Sequence, residues 1–170
     1  GEKMMEKVLT RVAWFVGLIL IQVLLLNHVY WMGVATPFVY VYFLLVLDRN
    51  TDVNVAMLIA FALGLCVDVF SNTPGVNAAA SVLLAFVRPG LLRLFSPRDE
   101  FDNFEPGIRV LGIWPFVRYA LCGVLLHHTL LFFLESFALP HVGYVLMRIV
   151  CSALFTLSLV MAIEFVRHRR

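Results

Sequence analysis

The chain has 170 residues, of which 62% are hydrophobic and only 14% charged, with a formal net charge of +2. A soluble domain carries about a quarter charged residues and about 45–50% apolar ones, so this chain lacks the polar surface to coat a soluble globule. Its mean hydropathy of +0.92 points instead to a single integral membrane domain over residues 1–170.

In chain order, Gly1, Glu2 and Lys3 precede Met4, the expected native start. The first apolar span covers roughly 8–27, after Lys3, Lys7 and Arg11 and before His28, Tyr30 and Trp31. Basic residues on one flank and aromatics on the other fit a helix that leaves the cytoplasm and ends in an aromatic belt. No small-residue cleavage site follows it, so a removable signal peptide is not expected.

The second span is short. Pro37 to Leu47 ends at Asp48, and as a helix it would cover only about 16 Å. Pro37 suits a first helical turn, and Asp52 suits the cap of the next helix. The third span runs roughly 53–70 and ends in the turn Ser71-Asn72-Thr73-Pro74-Gly75. The fourth begins near Val76, and its apolar run stops at Arg88-Pro89. Leu91 to Phe95 is expected to lie at the membrane surface, with Arg88 and Arg93 reaching head groups. A polar loop, roughly 96–112, contains Pro97, Arg98, Asp99 and Arg109. The fifth span runs roughly 114–135, Pro140 to Gly143 turns the chain, and the sixth runs roughly 144–165 before Arg167-His168-Arg169-Arg170.

Charge fixes the expected topology. With six spans, both basic ends, Arg49, Arg98 and Arg109 share one side, and the opposite loops hold no Lys or Arg. That is a positive-inside pattern. The expectation is an all-α polytopic membrane protein, a six-helix transmembrane bundle with both termini cytoplasmic and a short second helix.

Ionisable groups inside spans are costly and are functional candidates by default. Ala56, Ala60, Gly64 and Asp68 recur at helical spacing, as do Asn77, Ser81 and Ala85, with Arg88 beyond, and Arg148, Ser152 and Thr156. Such stripes let helices approach closely, and the three are expected to face one another. Depth favours Asp68 pairing with Arg148, with Glu135 as competitor; Arg88 is left to Asp48, Asp52 or lipid phosphate. An ion pair that locks packing is the plainer reading, and a proton relay or substrate site the sharper one. His127 and His128 are expected as neutral, hydrogen-bonded side chains, since no further ligand at matching depth completes a metal site. Cys66, Cys122 and Cys151 match no zinc or redox spacing and are read as small buried residues. Zinc-protease, phosphate-loop and serine-elbow motifs are absent from the sequence. No enzyme activity, cofactor, metal or nucleic-acid partner is expected, and the basic tail is read as topogenic and lipid-binding.

The stretch Gly64-Leu-Cys-Val-Asp68, Asn72-Thr-Pro74-Gly75, Asn77-Ala-Ala-Ala80 resembles the hairpin of the rod shape-determining MreD family. Length and span order agree over the whole chain. The resemblance implies a non-catalytic scaffold of the bacterial elongasome in the inner membrane. It implies binding to the transmembrane helix of MreC, action with RodA and a class B penicillin-binding transpeptidase, and indirect coupling of the MreB filament to peptidoglycan synthesis. Under it, Gly64, Asp68, Pro74, Gly75, Asn77, Arg88, Glu135 and Arg148 are the structural or interaction candidates. The polar loop and Arg148 depart from the family pattern. The family's fold is similar to that of S components of energy-coupling-factor transporters, which gives the rival reading of a vitamin or small-molecule binder.

Overall fold

The computed structural model describes residues 1–96, 103–137 and 141–169. Expectations on Pro97, Arg98, Asp99, Pro140 and Arg170 lie outside the described residues. Five helices are long and apolar enough to cross a membrane: α1 (Glu2–Leu24), extended by a 3-10 turn to His28, α3 (Val53–Ser71), α4 (Val76–Phe95), α6 (Ile113–Glu135) and α7 (Val142–His168). Two short helices, α2 (Val41–Leu45) and α5 (Ile108–Leu111), complete the order, and no strand occurs among the described residues. The protein is a helical multi-pass membrane protein.

α3 packs along α4, α4 on α6, and α6 on α7, while α1 leans on α3. Apolar side chains such as Leu58, Val69, Phe86 and Leu154 stay exposed on the outer faces, where a hydrocarbon solvent would cover them. The bundle has two distinct ends. At the turn end, Asn27 Nδ2 donates to Ser71 Oγ at 2.6 Å, and Tyr30 and Tyr144 share a hydroxyl contact. At the basic end, Arg11 pairs with Asp48 (2.9 Å) and Glu105 (3.0 Å), Lys7 with Asp48 (3.2 Å), and Arg167 with Glu105. The basic residues of α1 and of α7 thus meet at one end.

Residues 34–48 connect the two ends without forming a long helix. Their partners step along α7. Tyr144 OH donates to the Gly33 carbonyl, Thr36 N–H to Ser152 Oγ, and Phe38 N–H to Thr156 Oγ1. Tyr42 OH donates to Glu164 Oε2, and Arg167 to Tyr42 OH. Along α7 these partners run from Tyr144 to Glu164, twenty residues or about 30 Å of helix. This matches a hydrocarbon core of about 30 Å. The length that was too short for a helix is enough for a segment half unwound.

α4 corrects a second expectation. It runs unbroken through Pro89 to Phe95. Arg88 is fully buried and does not reach head groups. Asp52 caps α3 as anticipated, accepting from Asn54 N–H at 2.9 Å and Val55 N–H at 3.4 Å. The three cysteines are free and half-buried.

Candidate functional site

The α3–α4 hairpin holds six of the eight candidates: Gly64, Asp68, Pro74, Gly75 and Asn77 around its turn, and Arg88 toward the far end of α4. α3 ends on Asn72 in the left-handed region (φ 55°), a common helix stop. Gly75 (φ 79°) then opens α4 and offers no side chain to cap it. The orphan N–H groups of a first turn need an acceptor. Asp68 supplies it from the preceding helix. Its Oδ1 accepts from Asn77 N–H, Asn77 Nδ2 and Thr73 Oγ1, each at 2.9 Å, and its Oδ2 from Ala78 N–H at 3.0 Å. A carboxylate at a helix N-terminus also meets the positive end of the helix dipole. One turn back, Gly64 faces α4 directly. A Cβ there would stand 2.5 Å from Ala78 Cα and 2.6 Å from Asn77 O.

Asp68 does not pair with Arg148. Depth counting looked for an opposite charge, and the first turn of α4 is nearer and better aligned. Arg148 instead sits 3.5 Å from Glu135 Oε2, its guanidinium 4.4 Å above the Phe132 ring and 5.5 Å from the Tyr30 ring. Cation–π contacts of this kind strengthen as water is excluded. Arg88, at the other end of α4, donates to the Leu47 carbonyl at 2.7 Å and the Asp48 carbonyl at 2.9 Å. It therefore holds backbone, not the Asp48 or Asp52 carboxylate or a lipid phosphate.

From Asp68 a chain of hydrogen bonds runs into the bundle. Tyr40 OH joins Asn77 Oδ1 and His127 Nε2, both at 2.7 Å. His127 Nδ1 meets His128 Nδ1 at 3.1 Å, and His128 Nε2 meets Thr156 Oγ1 at 2.9 Å. All these side chains from Asp68 inward are buried. With Asp68 ionised, one proton arrangement satisfies every link. Asn77 gives its amide N–H to Asp68, so its Oδ1 accepts from Tyr40. Tyr40 oxygen then accepts from His127 Nε2–H. His127 Nδ1 accepts from His128 Nδ1–H, and His128 Nε2 accepts from Thr156, whose oxygen takes the Phe38 N–H. Both histidines are neutral in this arrangement, and every dipole points toward Asp68. Among the described residues no group of three or more His, Cys, Asp or Glu side chains gathers to hold a metal.

The stripes on α3 and α4 do face each other, but that on α7 does not join them. Ser152 and Thr156 bind the backbone of residues 36–38. Sequence reasoning missed Gln22, Tyr40, Tyr119 and Glu164, all buried. Gln22 donates to the Pro37 carbonyl at 3.0 Å and accepts from Val39 N–H at 2.8 Å, as a neighbouring strand would. Tyr119 donates to the Leu45 carbonyl at 2.7 Å. Glu164 accepts from Ile108 N–H at 3.1 Å. A lone amide amid the apolar run of the first span was the available signal for Gln22.

Comparison of the chain with protein-family models, curated proteins and solved structures finds no match. What the site itself displays is structural chemistry: charges and amides that hold backbone and fix helix contacts in a multi-pass membrane protein.

Proposed function

We propose that the chain is a non-catalytic scaffold of the bacterial cell-elongation machinery, similar to MreD, in the inner membrane. The observation that carries this reading is the α3–α4 hairpin, in which Gly64 admits α4 to direct contact and Asp68 caps it. The motif on which the family resemblance rests is thereby a self-consistent packing unit. Asp68, Thr73 and Asn77 are used up in holding one another and the start of α4, which suits a scaffold better than a small-molecule site. The segment 34–48 counts as a sixth crossing, and the meeting of Arg11 and Arg167 on Glu105 supports both termini lying on one side. The absence of Lys and Arg from the turn-end loops makes that side the cytoplasm.

On this reading the single transmembrane helix of MreC docks on an exposed apolar face, and RodA, the class B penicillin-binding transpeptidase and the MreB filament act in the same assembly. The test is purification of the full chain from native membrane with mass spectrometry for proteins and small ligands together. Recovery of the MreC-type partner is expected. A tightly held vitamin without that partner would overturn the scaffold in favour of a transporter S component.

A further inference from the structure

The basic end contains a cleft that the hairpin and its hydrogen-bond chain do not use. It opens between α1 and α7 over α2, with a volume of about 240 Å³. Its walls are of two kinds. Trp14, Leu18, Phe43, Val46 and Leu47 make an apolar floor and side, with Trp14 resting on Tyr42 at 5.8 Å between ring centroids. Lys7, Arg11 and Arg167 stand at the mouth with Glu105. Of the residues lining the cleft, Lys7, Arg11 and Arg167 are cations and Glu105 is a carboxylate; Asp48 and Glu164 lie behind the wall, the first on Lys7 and Arg11 and the second reached from Arg167 through Tyr42. Arg11 Nε is buried yet has no hydrogen-bond partner among the described residues.

Position adds a second argument. Arg167 lies twenty-five residues after Val142, the first residue of α7, which places it about 37 Å from the turn end, just beyond a hydrocarbon core of about 30 Å. Cations at that depth stand where the phosphate groups of one leaflet would lie, with the apolar wall below them at the level of acyl chains. Basic pockets between transmembrane helices are a recurring form of anionic head-group site. We propose that this cleft binds an anionic phospholipid, its phosphate between Lys7, Arg11 and Arg167 and one acyl chain along Trp14 and Phe43. The occupant is a lipid and not a free anion because the cleft is apolar over most of its wall. The assignment stands apart from the scaffold reading, since it requires no partner protein.

The full chain in detergent, titrated with palmitoyl-oleoyl phosphatidylglycerol or with phosphatidylcholine of the same chains and read by native mass spectrometry, tests this. Lys7, half-exposed at the mouth, predicts about a fivefold preference for phosphatidylglycerol. Lys7→Gln removes that cation and leaves Asp48 paired with Arg11, so the preference should vanish while melting is unchanged. Thr10→Phe fills the cleft without altering charge and should weaken both lipids. Equal binding of the two lipids by the wild type would overturn the proposal. Thr10→Phe that binds as the wild type would place the lipid on the outer surface and also overturn it. Displacement by millimolar inorganic phosphate would make the site an anion site and reject the lipid.

Discussion

The α3–α4 hairpin and the segment 34–48 lie against each other in one bundle, yet their backbones are satisfied by opposite means. In the hairpin nearly every N–H and C=O bonds within its own helix, and the need is concentrated at one helix start. A single carboxylate, Asp68, meets it. In the segment the need is spread along the chain. Gln22, Arg88, Tyr119, Ser152 and Thr156, from four different helices, each answer one or two groups. Non-helical backbone is tolerated at membrane depth only when protein covers it in this way. The comparison teaches that a buried polar residue here marks a neighbour's backbone more often than an opposite charge.

The comparison breaks most sharply at Gly64. Gly64→Val drives a side chain into α4 backbone that cannot yield, and a loss of about 3 kcal/mol or more is expected in detergent unfolding. Gly17→Val, where nothing lies within 4 Å, should leave the midpoint unmoved. Next comes Asp68→Ala, which orphans four donors and should cost about 3 kcal/mol, with Asp68→Asn recovering part. On the segment, Ser152→Ala removes the acceptor of the Thr36 N–H and Thr156→Val that of the Phe38 N–H together with the donor to His128, and each should cost about 1 kcal/mol by the same measurement. If these single losses equalled that of Asp68→Ala, the contrast between concentrated and spread need would fail. The smallest effect belongs to the charge pairing. Reversing Arg148 to Glu should be rescued by Glu135→Arg and not by Asp68→Arg, by about 0.5–1 kcal/mol.

Hydropathy alone made the five long helices legible, because their apolar runs have the length of a bilayer. The hairpin was legible too, through Gly64, Asp68 and the Asn72–Gly75 turn. The partner of Asp68 was not, because the search was for a cation. The overlooked signal was Gly75 where a helix start favours Ser, Thr, Asp or Asn. A missing cap calls for an acceptor from elsewhere. The unwound segment was hidden because Pro37 to Leu47 was measured at helical rise. Arg88 was misplaced because it adjoins Pro89, which ends helices in most settings but is carried inside α4 here.

The donors and acceptors that serve residues 34–48 also impose an order on biogenesis. Ser152 and Thr156 lie 116 and 118 residues beyond the groups they bind. While α7 is still unmade, the Thr36 and Phe38 N–H groups lack the acceptors that would let them leave water, although the side chains around them are apolar. The long helices must therefore enter first, and the segment must close into the bundle last, as a plug drawn in by its own C-terminal neighbour. A cysteine placed at Val39 should accordingly react with a water-borne maleimide in chains stalled before α7 and become protected once Thr156 has emerged.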